Sequence, residues 1–186
     1  RGFKITDGCI DELKKLSSYK EVNGLELVGD CALALNINDS EYTLKTGFSN
    51  YSTNVFESLA YISNLTIDTG SSSFPVDILS GYYNTIRIEE GTKISNNSST
   101  SSALIENLYI PTYNEALKNY FSTKLQINNL YIIGSGNISS GYLDGINVKN
   151  VIVSDSIKSI GARFLNNNAN LTSVTRSEER RVGKEC

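Results

Sequence analysis

Few residues in this chain have the types and spacing that catalysis requires. Histidine is absent from all 186 residues, which removes the commonest general base and the commonest metal ligand. Adjacent carboxylates point in different directions on a strand or helix and do not form an acid–base pair; this applies to Asp11/Glu12 and Glu89/Glu90. Gly134-Ser135-Gly136 resembles part of a phosphate-binding loop, but neither a Walker lysine nor a full GxGxxG follows. We therefore expect no enzymatic activity and no catalytic residue.

Metal and cofactor chemistry is equally poorly supported by the residue types. The three cysteines lie at Cys9, Cys31 and Cys186, and no CxxC pair occurs, so the usual spacing of zinc ligands is missing. Cys9 and Cys31 are separated by one period of the apolar repeat that is described below, so they could lie next to each other in adjacent repeat units. They would then be either two buried thiols or a disulfide. We expect no bound metal and no cofactor.

Residues suited to recognition, by contrast, recur at a regular spacing. Arg87, Tyr109 and Tyr131 follow one another at equal intervals along the chain. Asn107 and Asn129 each precede one of the tyrosines by two positions. Aromatic rings and guanidinium groups supply large contact area at low entropic cost, although tyrosine is also simply a good strand former. We predict that these five residues form one ligand-binding surface, provided that the fold brings them together.

A repeat with a period of roughly 21–23 residues, which is typical of solenoids, supplies the elements that would position them. Its signature is an apolar residue, two free positions, an apolar residue, one free position and a third apolar residue. Five full copies occur, at Ile62/Leu65/Ile67, Tyr83/Ile86/Ile88, Ile105/Leu108/Ile110, Ile127/Leu130/Ile132 and Val148/Val151/Val153. A sixth copy begins at Leu171/Val174 but has Arg176 at its third position. One such unit cannot bury its apolar face alone. We therefore predict a β-rich solenoid over residues 62–175, with a short parallel strand in each coil at residues 62–67, 83–88, 105–110, 127–132 and 148–153.

Two further apolar clusters recur in each unit. The second cluster lies eight or nine residues after the central position of the triplet, and its members are Phe74, Ile94, Leu117, Ile138 and Ile160. The third cluster lies about thirteen residues after the central position, and its members are Ile78, Leu79, Phe121, Leu143, Phe164 and Leu165. Three inward-facing clusters per coil would build one continuous core. Residues 115–120 suggest a helical turn, and the Ser/Asn/Thr-rich residues 95–102 suggest a loop.

Residues 1–61 keep the period only in part. Thr6 or Asp7 would cap a short helix carrying Ile10, Leu13 and Leu16. Leu44 lies near the central position of one expected copy but lacks apolar partners. Alternatively, residues 33–37 and 42–44 form an inserted hairpin around Asn38-Asp39.

The last eleven residues, 176–186, differ in character from the rest. They read RSEERRVGKEC and resemble, codon for codon, the translation of a short-read sequencing adapter. The sixth triplet loses its third apolar residue at the same point, Arg176. We therefore interpret residues 176–186 as a non-native, adapter-like tail outside the fold. Because the chain also begins at Arg1 rather than at Met, we expect it to be a fragment.

The most regular copy, residues 151–175, reads VIVSDSIKSIGARFLNNNANLTSVT and resembles the BspA-like leucine-rich repeat. The matching places are Ser154-Asp155-Ser156, Ser159-Ile160-Gly161, Phe164, Asn168 and Leu171-Thr172-Ser173-Val174-Thr175. Asn168 stands where this family more often has Cys, and it either bonds the loop backbone from inside the coil or lies on the surface. The middle units lack the Ser-Ile-Gly step. The resemblance implies a curved solenoid of the leucine-rich-repeat type on a secreted or cell-surface protein, without catalytic residues.

Composition is consistent with a binding module. The formal net charge of −3 argues against nucleic acid as a partner, and the apolar runs are too short for membrane insertion. We expect a non-catalytic interaction or adhesion module of a secreted or cell-surface bacterial protein, whose partner is a protein or glycan on another cell or matrix. The alternative is the repeat scaffold or stalk of a larger multidomain protein or enzyme.

Overall fold

The computed structural model describes residues 41–45, 63–70, 73–76, 79–96, 102–113, 115–121 and 123–177. Within these ranges the elements that the structure describes in full are strands and one short 3-10 helix, Leu117–Asn119, and no α-helix is among them. The strands are β1 (Glu41–Lys45), β2 (Asn64–Asp68), β3 (Ser73–Pro75), β4 (Gly81–Ile88), β5 (Lys93–Ser95), β6 (Ala103–Ile110), β7 (Leu125–Ile132), β8 (Gly136–Ile138), β9 (Val148–Val153), β10 (Ile157–Ile160) and β11 (Ser173–Arg176).

A seven-stranded parallel sheet forms one side of the molecule, in the order β1-β2-β4-β6-β7-β9-β11. The central residues of the sequence triplets lie side by side across this sheet, so that Leu65 pairs with Ile86, Ile86 with Leu108, Leu108 with Leu130, Leu130 with Val151 and Val151 with Val174. The predicted stacking of parallel strands is thus confirmed. The protein is a strand-rich parallel β-solenoid of about 5 turns with a spacing of about 22 residues.

The apolar triplets form the core together with the second and third clusters. Leu65, Ile86, Leu108 and Leu130 are fully buried, as are Phe74, Leu117 and Leu143 from the other two sides of the coil. Ile160 is an exception, because its side chain is 49% exposed whereas Ile157 is only 3% exposed. The register between β8 and β10 shifts between Ile157 and Ser159. Ile160 nevertheless lies opposite the buried Ile138, so it has the predicted place in the second cluster but not the predicted burial.

Two small parallel sheets form on a second side of the coils, one from β3 and β5 and the other from β8 and β10. The coil between them, which follows β6, has the 3-10 helix instead of a second strand. Tyr120 and Phe121 both donate backbone hydrogen bonds to the carbonyl of Leu117 there. This confirms the predicted helical turn in residues 115–120.

Asn168 bonds the backbone from inside the coil, which decides between its two interpretations. Its amide nitrogen donates to the carbonyl of Leu143 in the preceding coil at 2.7 Å and to the carbonyl of Asn166 at 3.2 Å. Burial of the side chain is intermediate. Asn168 therefore ties two successive turns together.

The N-terminal end of the described chain departs from one expectation. β1 pairs in parallel with β2, with Tyr42 opposite Leu65 and Leu44 opposite Ile67. Leu44 thus occupies the third position of its copy and not the central one. The proposed hairpin arm at 33–37, the short N-terminal helix, Cys9, Cys31 and residues 97–101 lie outside the described residues.

The beginning of the tail takes part in the solenoid. Arg176 ends β11 opposite Val153, and its guanidinium donates to the carbonyls of Asp155 and Ile157 at 2.8 and 2.9 Å. The amide of Ser177 donates to the carbonyl of Val153. The expectation that residues 176–186 lie wholly outside the fold is therefore wrong for these first two residues, because strand pairing uses backbone groups and does not require an apolar side chain at position 176. Residues 178–186 are not among those described.

Candidate functional site

The parallel register places the predicted recognition residues in one line across the sheet. Arg87 on β4 pairs with Tyr109 on β6, which pairs with Tyr131 on β7, which pairs with Ile152 on β9. We call these four residues the recognition column. The tyrosine rings stack with their centroids 4.3 Å apart and their planes 8° from parallel. The predicted Tyr109–Tyr131 stack is thus confirmed.

Arg87 is held at one end of this stack. Its Cζ lies 5.8 Å from the centroid of the Tyr109 ring, within the range of a cation–π contact. Its Nε donates to Oε1 of Glu89 at 2.6 Å. Both partners are exposed, so this ion pair adds little stability, about 0–1 kcal/mol. Its main effect is to restrict the guanidinium to one orientation beside the tyrosine rings.

Stacking decides which parts of the rings a ligand can reach. Each tyrosine covers one face of the other, and Arg87 lies over the remaining face of Tyr109. Both tyrosines are consequently half-buried and not fully exposed. Partial burial and the neighbouring Tyr131 raise the pKa of the Tyr109 hydroxyl, and the Arg87 guanidinium opposes this shift. Ring edges, hydroxyl groups and the second face of Tyr131 are therefore the parts of the two rings that neither the stack nor Arg87 covers.

A second line of side chains, two positions earlier in each strand, forms a hydrogen-bonded ladder. Asn129 donates through its amide nitrogen to Oδ1 of Asn107 at 3.2 Å, and Asn150 donates to Oδ1 of Asn129 at 3.0 Å. Ser173 continues the ladder with a 2.8 Å bond from its hydroxyl to Oδ1 of Asn150. We call Asn107, Asn129, Asn150 and Ser173 the asparagine ladder. The sequence placed Asn107 and Asn129 in the ligand-binding set, but their amides are engaged mainly with neighbouring coils.

Replacing Asn129 with alanine should destabilise the solenoid, because this residue is a central link of the asparagine ladder. The change removes the bonds to Asn107 Oδ1 and to the carbonyl of Glu106, and leaves the amide of Asn150 without its acceptor. We expect a loss of about 1–3 kcal/mol in the free energy of unfolding, measured by urea denaturation. Asn137→Ala is the control, since exposed Asn137 accepts one bond, from Ser159. Equal losses in the two variants would contradict the ladder's structural role.

A cleft opens beside the recognition column, where the chain turns after the strands. Its volume is about 900 Å³, and Arg87 lies on its rim. The lining combines residues of four coils, including Thr92, Tyr113, Gly134 and Ser156. A smaller hollow of about 520 Å³ adjoins Tyr131 and shares Ile133 and Ser156 with the cleft. The column thus borders a concave surface that extends along the solenoid.

Sequence reasoning missed two groups of polar contacts. Asp144 accepts from Lys118 Nζ at 3.0 Å and from the amide of Asn167 at 2.9 Å, which joins three successive coils. The hydrogen bond from Lys118 is the main cause that lowers the pKa of the Asp144 carboxyl. Glu106 and Asn128 form a second contact beside the asparagine ladder. The two residues of each pair are separated by about one period of the repeat, which places them in adjacent coils. This spacing was the sequence signal that could have predicted the contacts.

Comparison with known proteins finds no matching family, curated protein or solved structure. In the part of the chain that the structure describes, no helix has the length and apolar character of a membrane span. These residues also contain no group of three or more Cys, Asp or Glu side chains placed to hold a metal ion. The recognition column and the cleft beside it are therefore the features that suggest a function.

Proposed function

We propose that this chain is a non-catalytic interaction module that binds its partner through the recognition column. The observation that carries this proposal is the ordered Tyr109–Tyr131 stack with Arg87 at its end. Aromatic and arginine side chains dominate interface energetics when they are held rigidly and surrounded by other contacts. The strands fix all three side chains in advance, so that binding costs little additional ordering.

A protein partner fits this column better than a glycan does. Sugars that bind aromatic residues usually lie against the face of a ring, whereas here the stack and Arg87 cover three of the four ring faces. Ring edges, hydroxyls and a fixed guanidinium suit the mixed apolar and polar surface of a polypeptide. We therefore favour a protein ligand on another cell or matrix over a glycan.

The wider setting we propose is adhesion by a secreted or cell-surface bacterial protein of the BspA-like leucine-rich-repeat type. Support comes from residues 151–175, which match that repeat in sequence, and from the spacing of about 22 residues between coils. Asn168 bonds the backbone of the preceding coil, which is a suitable role for an interior polar residue at this place in the repeat.

A scaffold or stalk within a larger multidomain protein is the second candidate. The asparagine ladder favours it, because Asn107, Asn129 and Asn150 use their amides to join coils rather than to present donors to a ligand. A scaffold of this kind would have no partner whose binding depends on Tyr109 or Tyr131.

Replacing both Tyr109 and Tyr131 with alanine separates the two candidates. Arrays of purified matrix proteins and of immobilised glycans serve as probes. For a protein that the chain binds, we expect the double variant to lose at least about tenfold in affinity, which corresponds to about 1.4 kcal/mol. The change removes the stack and the platform for Arg87, but it leaves the buried triplets intact.

Tyr82→Ala is the matched control for this experiment. Tyr82 is on β4 of the same sheet and is 52% exposed, but it lies outside the recognition column. Its loss should leave binding nearly unchanged. Equal affinities for the wild type, Tyr82→Ala and the double variant would contradict the proposed site, and so would the absence of any bound array member.

A further inference from the structure

The smaller hollow beside Tyr131, with a volume of about 520 Å³, combines an apolar side with a polar one. Its apolar side consists of Tyr131, Ile133 and Ile152, and Ile133 is 38% exposed. Its polar side contains residues 154–156, which form the turn after β9. We call the space between these six residues the Tyr131 hollow. Because Tyr131 and Ile152 also belong to the recognition column, the hollow continues the surface that we propose for binding.

The polar side of the Tyr131 hollow presents hydrogen-bond acceptors. The hydroxyl of Ser156 donates to Oδ1 of Asp155 at 3.5 Å, so the lone pairs of the serine oxygen remain available to a ligand. No described residue donates to Oδ2 of Asp155, and an ionised carboxylate only accepts. A ligand that meets this turn must therefore bring donors of its own.

The Tyr131 hollow also carries a negative charge. Among the described residues that line it, Asp155 alone is charged. In the part of the chain that the structure describes, this carboxylate has no ion-pair partner, unlike Asp144, which pairs with Lys118. The guanidinium of Arg176 donates to the backbone carbonyls of Asp155 and Ile157, and it does not line the hollow. The hollow therefore favours a cation.

We propose that the Tyr131 hollow receives a lysine side chain of the protein partner. The stem of the lysine lies against Ile133 and Ile152, and its ammonium donates to the Asp155 carboxylate and to the oxygen of Ser156. Lysine has both an apolar stem and a compact cation with three donors. Arginine fits less well, because its planar fork pairs best with two free carboxylate oxygens, and Ser156 already contacts Oδ1 of Asp155. The inference rests on the proposed interaction function and specifies one side chain of the partner.

The apolar side of the hollow distinguishes Asp155 from an isolated surface carboxylate. An exposed ion pair contributes little, because water and salt screen it and both side chains lose freedom. Here the lysine stem also removes apolar surface of Ile133 and Ile152 from water. Binding of the stem displaces water from the hollow, so that the ammonium and the carboxylate meet in a less polar environment. The stem and the cation therefore both contribute to binding.

Lysine blocked at both ends of its backbone, N-acetyl-lysine N-methylamide, is the probe that tests this inference. Its matched partner is the same molecule acetylated at Nζ, which keeps the stem but lacks the cation. The full chain, labelled with ¹⁵N, is titrated with each probe at constant ionic strength, and the amide resonances of residues 155 and 156 are followed by NMR. We expect saturable shifts with the lysine probe and at least tenfold weaker binding of the acetylated one.

Asp155→Asn locates the binding. The substitution removes the charge but keeps the shape of the side chain, and it should weaken binding of the lysine probe at least tenfold. Asp68→Asn is the matched control, because Asp68 is an exposed carboxylate on β2 of the same sheet that does not line the hollow. The two variants have the same net charge, and Asp68→Asn should bind the probe as the wild type does. Equal denaturation midpoints exclude misfolding as the cause of a difference.

The same variant tests the lysine site on a whole protein partner. For an array protein that binds through Tyr109 and Tyr131, acetylation of its lysines should weaken binding to the wild type at least tenfold. Binding to Asp155→Asn should then be no weaker for the acetylated protein than for the unmodified one. An equal loss on the wild type and on the variant would show that no lysine of the partner binds at Asp155.

The outcomes separate this inference from the broader proposal. The absence of saturable shifts, equal binding of the two probes, or insensitivity to Asp155→Asn would each overturn the lysine site. An array protein that depends on Tyr109 and Tyr131 would still support the interaction module in that case. Conversely, a lysine probe that binds through Asp155, without any array protein that depends on the two tyrosines, would support the lysine site and contradict the column as the principal binding surface.

Discussion

Leu130→Ala should lower the free energy of unfolding by about 3–5 kcal/mol. Leu130 has 0% exposure and lies at the centre of the triplet on β7, between Leu108 and Val151 of the adjacent strands. Truncation removes apolar contacts with both neighbouring coils and leaves a cavity that the stacked sheet cannot close without shifting its register. Urea denaturation followed by circular dichroism measures the loss.

Ile133→Ala provides the comparison for this variant. Ile133 follows β7 by one residue and is 38% exposed, so its truncation exposes little new surface and creates no enclosed cavity. We expect a change of less than about 1 kcal/mol. Comparable losses at positions 130 and 133 would mean that the triplet is not the centre of the core.

Gly161→Ala should be at least as disruptive, for a steric rather than a hydrophobic reason. A Cβ at position 161 would collide with the backbone nitrogen of Ser140 and lie 2.7 Å from the carbonyl carbon of Ser139. These are backbone atoms of the preceding coil, held there by the bond from the Gly161 amide to Ile138, so no side-chain rotation relieves the contact. We expect a loss of about 3 kcal/mol or more and a lower thermal midpoint.

Gly91→Ala separates this collision from the general cost of replacing glycine. Gly91 has a φ of +88°, which an L-residue adopts reluctantly, but a Cβ there would meet nothing within 4 Å. Its replacement should cost only the backbone strain, about 1–2 kcal/mol. If Gly91→Ala proved the more damaging of the two, close contact between coils would not be what requires glycine at position 161.

The repeat and its register could be predicted because hydrophobic period alone determines them. A constant period aligns like positions in successive coils, and this alignment was sufficient to predict that Tyr109 would lie against Tyr131. The burial of the second cluster was less predictable, because Ile160 lies opposite the buried Ile138 but is itself 49% exposed, whereas Ile157 on the same strand is buried. An apolar pattern that contains both residues does not indicate which of them is buried.

Two features of the site depended on information that periodicity does not contain. A column of Asn residues indicates a polar face, but it does not reveal whether the amides bond each other or a ligand; the 3.0 Å and 3.2 Å contacts through Asn129 decide this. The cleft arises from a strand that one coil lacks. The middle units all lack the Ser-Ile-Gly step of residues 159–161, yet two of them still form β5 and β8, so this loss does not indicate which coil lacks a strand.

The asparagine ladder and the Asp144 contacts also determine how the solenoid would respond to a pulling force. Each of these bonds joins a coil only to the next one, at sequence separations of 21 to 26 residues. A pull along the solenoid axis would therefore load one interface between coils at a time, and no bond of these groups would hold distant coils together. Each coil released would add about 22 residues, or roughly 70 Å of extended chain, to the length between the two ends. The molecule would thus lengthen in discrete steps under tension, while the coils that remained stacked kept their full set of contacts.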